Sequence, residues 1–275
     1  MIDVFSTLLP SSVTVISSQD LHSDRPCYPE ELALIRKAVP KRRDEFITAR
    51  YCARQALAQR GIHNNPILKG KNRQPLWPEA IVGSITHCTD FCAVAVASTE
   101  QFHAIGIDAE PNTPLKEDIR HLIITENELK RMEHHPLPSD LWPKLIFSAK
   151  ETIFKCYFPL IRQYLDFLEA EINFPSDEQR FTSCVTRSSS TSSSETLIRS
   201  TTSTSTLGNS NQTSTHYSSR QFINQRSQHN TELYSGQFEI NLLVPTPIKY
   251  PALQGLRGRY LVTDQLIHTA LALPA

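Results

Sequence analysis

Two hydrophobic periods take turns along this chain. From Lys41 to Arg60, Phe46, Ala49, Ala53, Ala56 and Leu57 recur three and four apart, while Arg42, Arg43, Arg50, Arg54 and Arg60 take the remaining faces. That spacing predicts an amphipathic helix, with Gly61 as its stop. The period then shortens to two. Ile81 to Thr86, Phe91 to Ala97 and Ala104 to Ala109 read as strands, the last ending in carboxylates before Pro111. Helical spacing returns over Leu115–Ile124, Glu126–Glu133 and from Leu141 to about Phe158. Strand-like sequence closes the chain over Gln237–Val244, Arg259–Val262 and Leu266–Leu273. The expectation is an α+β fold.

The pattern fails between Thr182 and about Ser235. Ser188–Ser194 and Ser200–Thr206 contain only Ser and Thr, and Asn and Gln continue the theme to Asn230. So little apolar surface cannot offset the entropy of ordering, so 182–235 is read as a disordered insertion; a hairpin of unusually polar strands is the other reading. Lys plus Arg and Asp plus Glu both total 28, which excludes bulk attraction to nucleic acid or an anionic membrane. Only 8 glycines occur, and neither G-x-G-x-x-G nor G-x-x-x-x-G-K-[ST] is present, which disfavours dinucleotide and P-loop chemistry. No Lys or Arg precedes Arg25 and no long apolar run occurs, so a soluble cytoplasmic protein without stable membrane insertion is expected. His87, Cys88 and Cys92 invite a metal reading, but the cysteines form no C-x-x-C pair, and reduced, mostly buried thiols are the simpler account.

Three segments carry candidate chemistry. Asp108 and Glu110, two apart at a strand end, project to one face, where their repulsion is costly unless a cation joins them; a few hard oxygens with room for phosphate describe a Mg²⁺ site. Solvated loop carboxylates are the alternative. In Phe147-Ser148-Ala149-Lys150-Glu151-Thr152-Ile153-Phe154-Lys155, a helix places Glu151 and Lys155 one turn apart. Alone this is an ordinary surface pair; beside Asp108 and Glu110 it adds a third carboxylate and a cation. In Gly83-Ser84-Ile85-Thr86-His87-Cys88, Thr86 and His87 could donate to a phosphate, or His87 could be satisfied by backbone.

Taken in order, Lys41-Arg42-Arg43 through Arg50 to Leu57, Pro75-Leu76-Trp77-Pro78, Gly83–His87, Ile105-Gly106-Ile107-Asp108-Ala109-Glu110-Pro111 and Phe147–Glu151 with Lys155 resemble the 4'-phosphopantetheinyl transferases of the enterobactin-synthetase type. The tail from Gly258 to Ala270 is similar to that family's closing strands. The resemblance implies two similar α+β halves, 1–112 with coenzyme A-binding elements and 113–275 with the catalytic helix, and an active site in the cleft between them. It implies a monomer that uses coenzyme A and Mg²⁺ and moves the phosphopantetheine arm to a serine of an apo carrier protein, releasing 3',5'-ADP. A peptidyl carrier of siderophore (enterobactin-like) synthesis leads, with acyl carriers open. By the same resemblance Asp108, Glu110 and Glu151 hold Mg²⁺, Glu151 is also the candidate base, and Lys155 and Lys150 neutralise the pyrophosphate. Thr86, His87, Arg50 and Arg73 would serve the 3'-phosphate region, with Lys69 and Lys71 as weaker partners and Glu128 as a further neighbour of the metal. Two rival readings remain at this point: another Mg²⁺-dependent pyrophosphate-cleaving enzyme, and a non-catalytic protein acting through its Ser/Thr-rich segment.

Overall fold

The structure is a computed structural model and describes residues 3–135, 137–175, 180–181 and 234–275. The Ser/Thr-rich stretch therefore lies outside the described residues, except that Tyr234 and Ser235 already belong to a strand.

The first layer is a three-stranded antiparallel sheet in the order β1-β3-β2, from Thr14–Ser18, Phe91–Ser98 and Ile81–Cys88. β3 is central and reads Phe-Cys-Ala-Val-Ala-Val-Ala, apolar on both faces because both are covered. Asp90, in the left-handed region at φ 58°, closes the β2–β3 hairpin. The arginine-rich helix, α3 (Pro40–Ala58), starts with Pro at its first turn and lays Cys52, Ala53, Ala56 and Leu57 against Val94 and Val96. Two short helices precede it, α1 (Val4–Leu8) and α2 (Pro29–Ala33). They and β1 have no counterpart in the sequence reading.

The second layer has six strands in the order β4-β9-β8-β7-β5, with β6 also beside β7. β4 is Phe102–Pro111, β5 Ala170–Asn173, β6 Arg180–Phe181, β7 Tyr234–Leu242, β8 Arg257–Val262 and β9 Leu266–Pro274. The catalytic-helix candidate, α6 (Trp142–Ile161), packs on it, and Leu145, Ala149, Ile153 and Cys156 join its core. Gly106 makes this approach possible, since a Cβ there would overlap the Thr152 carbonyl. The chain is α+β, as expected, with one long helix on each sheet.

The helix expected over Leu115–Ile124 shrinks to α4 (Glu117–Arg120). Thr125 must be extended to cap α5 (Glu126–Met132), where it accepts from Glu128 N while the Glu128 carboxylate accepts from Thr125 N. The Leu-Ile-Ile run before it turns instead of continuing. β4, assigned from sequence to the first half, hydrogen-bonds to β9. Its other edge meets β2 without a backbone ladder. There Ser84 Oγ accepts from Ile107 N at 3.1 Å and Thr86 Oγ1 from Ala109 N at 3.0 Å. Hydroxyls thus satisfy the buried edge amides where the two sheets meet.

Candidate active site at the seam of the two sheets

The carboxylates of β4 emerge at this seam. Asp108 is buried and its carboxylate accepts three bonds, from Lys155 Nζ at 2.7 Å and Thr86 Oγ1 at 3.2 Å on Oδ1 and from Ser148 Oγ at 2.7 Å on Oδ2; Lys155 also donates to Ile107 O at 3.1 Å. Glu110 projects to the same side and pairs with Lys144 at 2.9 Å. Burial, then the Asp108 charge, push the Glu110 carboxyl upward, and the lysines only partly oppose them. The Glu151 carboxylate makes no hydrogen bond or ion pair with any described residue. Burial raises its pKa first; Lys155 pulls it down, while Asp108 and Glu110 raise it further. The three acids thus feel one another across the seam.

α6 supplies the opposing wall. Lys144, Ser148, Glu151 and Lys155 fall at i, i+4, i+7 and i+11 and form one stripe facing β4. Beneath it, Ser148 Oγ lies 2.9 Å and Thr152 Oγ1 2.7 Å from Thr269 Oγ1 of β9. Among the described residues, no three His, Cys, Asp or Glu side chains are grouped to hold a metal ion. The expected three-carboxylate cage is therefore not preformed: unscreened acids repel, and lysines occupy the two on the strand. Their chemistry nevertheless fits a hard divalent cation, because all three are oxygen donors and the charged forms of Glu110 and Glu151 are disfavoured by burial and by the neighbouring acids. His87, Cys88 and Cys92 build no site either; burial pushes the Cys88 thiol up to about 12.

A second group of charges lies on the α3 side. Arg50 is buried, donates Nε to Ile67 O at 2.7 Å and stacks on Phe46 at 4.4 Å. Burial pulls its pKa down to about 10. Lys69 stands 4.8 Å from the centre of the same ring, and burial followed by Arg42, Arg50 and Arg73 lowers its pKa. Lys69 feels three arginines and no acid, although Arg42 itself pairs with Glu45 at 3.1 Å and Glu31 acts on Arg50; the remaining excess of positive charge suits an anion. Arg42 lies 2.7 Å from His87 Nε2. Arginine can only donate, so Nε2 is the acceptor and the ring proton sits on Nδ1, 3.6 Å from Glu45. Burial and Arg42 lower the His87 pKa, consistent with this neutral form. Below the seam a groove of about 470 Å³ opens between Trp77, Gly83 and Ile85 on one side and Phe154, Lys155 and Phe158 on the other, with Arg73 at its edge.

Three expected ligands are engaged elsewhere. Lys150 spends its three N–H bonds on Ile123 O, Glu128 Oε2 and Phe167 O at 2.7, 2.7 and 2.8 Å, leaving none for a pyrophosphate. Glu128 is correspondingly saturated by Lys150, Thr125 N and Ile172 N. Thr86 is buried between Asp108 and Ala109, where it orients the carboxylate. Sequence reasoning passed over Lys144 and named Arg42 only among the arginines of its helix, without a site role of its own. The Lys-Arg-Arg run and the four-residue stripe of α6 were the signals that could have found them.

Residues 30–97 match the 4'-phosphopantetheinyl transferase N-terminal domain, and residues 104–218 match the 4'-phosphopantetheinyl transferase superfamily. The chain is 40% identical over 184 residues to 4'-phosphopantetheinyl transferase Svp of Streptomyces mobaraensis, covering 65% of this chain and 75% of that protein. It is 39% identical over 182 residues to 4'-phosphopantetheinyl transferase PptT of Mycobacterium tuberculosis, covering 64% and 80%. Enterobactin synthase component D of Salmonella typhimurium is 36% identical over 125 residues, covering 45% and 51%.

Proposed function

Because this chain belongs to the 4'-phosphopantetheinyl transferase superfamily, whose members use coenzyme A and act on carrier proteins, we propose that its seam transfers phosphopantetheine to a carrier serine in a Mg²⁺-dependent reaction. The observation that carries the proposal is the facing of Asp108, Glu110 and Glu151 by Lys144 and Lys155, with the cation cluster of α3 on the other sheet. Family membership displaces the reading as a non-catalytic interaction protein.

Asp108, Glu110 and Glu151 would hold the Mg²⁺, and its contribution when bound is to offset charge on the pyrophosphate oxygens. Lys155, paired with Asp108, and Lys144, paired with Glu110, would then be cations within reach of the same phosphates. Arg42, Arg50, Lys69, Arg73 and His87 receive the 3'-phosphate, which fixes the coenzyme's far end. The apolar groove beside Lys155 takes uncharged parts of the molecule. Glu151, whose carboxylate has no protein partner among the described residues, can offer one oxygen to the metal and the other to the proton of the carrier serine. The serine oxygen attacks the phosphorus bearing pantetheine, the bond to the bridging oxygen breaks, and 3',5'-ADP leaves with the electron pair.

The favoured carrier is a peptidyl carrier of siderophore synthesis, supported by the likeness to enterobactin synthase component D. The longer matches to Svp and PptT leave that choice to experiment. Purified protein, coenzyme A and Mg²⁺ are incubated with apo peptidyl, acyl and polyketide carriers at equal concentration. The reading expects a serine-linked phosphopantetheine on the peptidyl carrier first. Faster modification of an acyl carrier would reassign the substrate, and no modification of any carrier would reject the transfer itself.

A further inference from the structure

Glu31 of α2 is fully buried, lies outside the carboxylate site, and accepts from four donors. They are Ile67 N at 2.9 Å, Tyr28 N and Cys27 Sγ at 3.2 Å, and Arg54 Nη1 at 2.5 Å. Burying a charge this deeply is costly unless it is well hydrogen-bonded, and here Oε2 takes three donors and Oε1 takes Ile67 N. One bond stands out by its location. The Ile67 peptide is gripped from both sides, its N–H by Glu31 and its C=O by Arg50 at 2.7 Å.

A basic arm begins at that peptide. Leu76 N bonds Leu68 O at 2.9 Å, Lys69 and Pro75 form a bridge, and Gly70 N bonds Gln74 O at 2.8 Å. The arm is therefore a closed hairpin, held on one leg by the Ile67 bonds and on the other by Trp77, whose Nε1 donates to Gly83 O at 2.9 Å. It carries Lys69 and Arg73 toward Arg42 and Arg50. Four like charges would push such an arm away from α3 unless something fixed it.

We propose that Glu31 is a positioning residue for coenzyme binding: with Arg50 it pins the base of the 67–77 hairpin, so that Lys69 and Arg73 converge with α3 on the 3'-phosphate. The inference rests on the functional reading above. It also makes a prediction opposite in sign to simple electrostatics. Glu31 is an acid near a cluster that binds an anion, so deleting its charge from a rigid cluster would tighten phosphate binding. Deleting it from a clamp loosens the arm and weakens that binding.

The test is the affinity of Glu31→Gln for coenzyme A and for 3'-dephospho-coenzyme A, measured by calorimetry. Glutamine keeps the volume but offers one acceptor oxygen where the carboxylate offered two, so it cannot serve both Ile67 and the Arg54 side. Expected is a loss of about tenfold or more for coenzyme A, less than about twofold for the dephospho form, and saturated turnover within about threefold of wild type. Tighter or unchanged binding of coenzyme A, or equal loss for both ligands, would overturn the proposal. Wild-type protein that fails to distinguish the two ligands would instead reject the 3'-phosphate reading of the cluster. Amide exchange of coenzyme-free wild type supplies a check that needs no variant: Ile67 N–H should exchange as slowly as the buried amides of α3, and fast exchange there contradicts the clamp.

Discussion

Asp108, Glu110 and Glu151 are chemically alike and are set apart by their neighbours. Asp108 has donors on both oxygens, Glu110 shares one lysine, and Glu151 has no partner among the described residues. An unpaired, half-buried carboxyl is suited to accept a proton, and burial with two nearby acids lifts its pKa. The sign follows directly. In the metal-free protein the Glu151 carboxyl should therefore titrate above the ordinary carboxylate range, and Mg²⁺ should lower it, which a carboxyl-resolved NMR titration with and without the ion checks. Glu151→Gln should lose on the order of a thousandfold in turnover with an unchanged circular dichroism spectrum. Its neighbour in sequence should behave in the opposite way. Lys150 and Glu128 form a buried pair with 2% and 0% side-chain exposure, so Lys150→Met strands a buried acid. A stability loss of about 3–5 kcal/mol is expected in urea titration, with carrier modification per folded molecule largely kept. Wild-type stability with lost activity would return Lys150 to the phosphate site.

The long elements place these groups, and Gly106 controls how closely two of them meet. Gly106→Ala on β4 drives a methyl into the Thr152 carbonyl of α6, a backbone atom that cannot turn aside. The helix must withdraw, carrying Ser148 and Lys155 from Asp108. A loss of about 1–3 kcal/mol is expected, together with a fall in turnover larger than that for Ser148→Ala. Thermal denaturation and initial rates check it; equal turnover in the two variants would contradict close packing as the positioning device. α3, β2, β3, β4 and α6 were legible in the sequence because their apolar residues keep one period over many positions. The Asp108/Glu110 and Glu151/Lys155 pairs were legible from spacing. α1, α2 and β1 were not, because five-residue elements hold too few positions to declare a period. Local spacing also hid the occupation of Lys150, since its acceptors Ile123, Glu128 and Phe167 come from three other segments.

The molecule as a whole joins two sheets through hydroxyls at β2 and β4 and gathers its charge on both sides of that join. Its histidines add a pH dependence. His87, His135 and His268 are all held below the ordinary value, chiefly by burial, His135 at about 4. The unfolded chain binds these protons near pH 6.5 and the fold does not, so their contribution to stability is present above that pH and is lost as pH falls. His268, edge-on to Phe5 and Phe91, is the cleanest probe. His268→Phe should flatten the melting temperature between pH 7 and 5, and an unchanged slope would show that its burial does not matter. The central claim is that three acids facing two lysines across this seam break coenzyme A and pass its arm to a serine. Intact mass spectrometry of one apo carrier, incubated with coenzyme A and Mg²⁺ and either wild type or Glu151→Gln, measures it directly. The account predicts a phosphopantetheine adduct with wild type and almost none with the variant. Equal modification by both proteins, or none by wild type against every carrier, would contradict it.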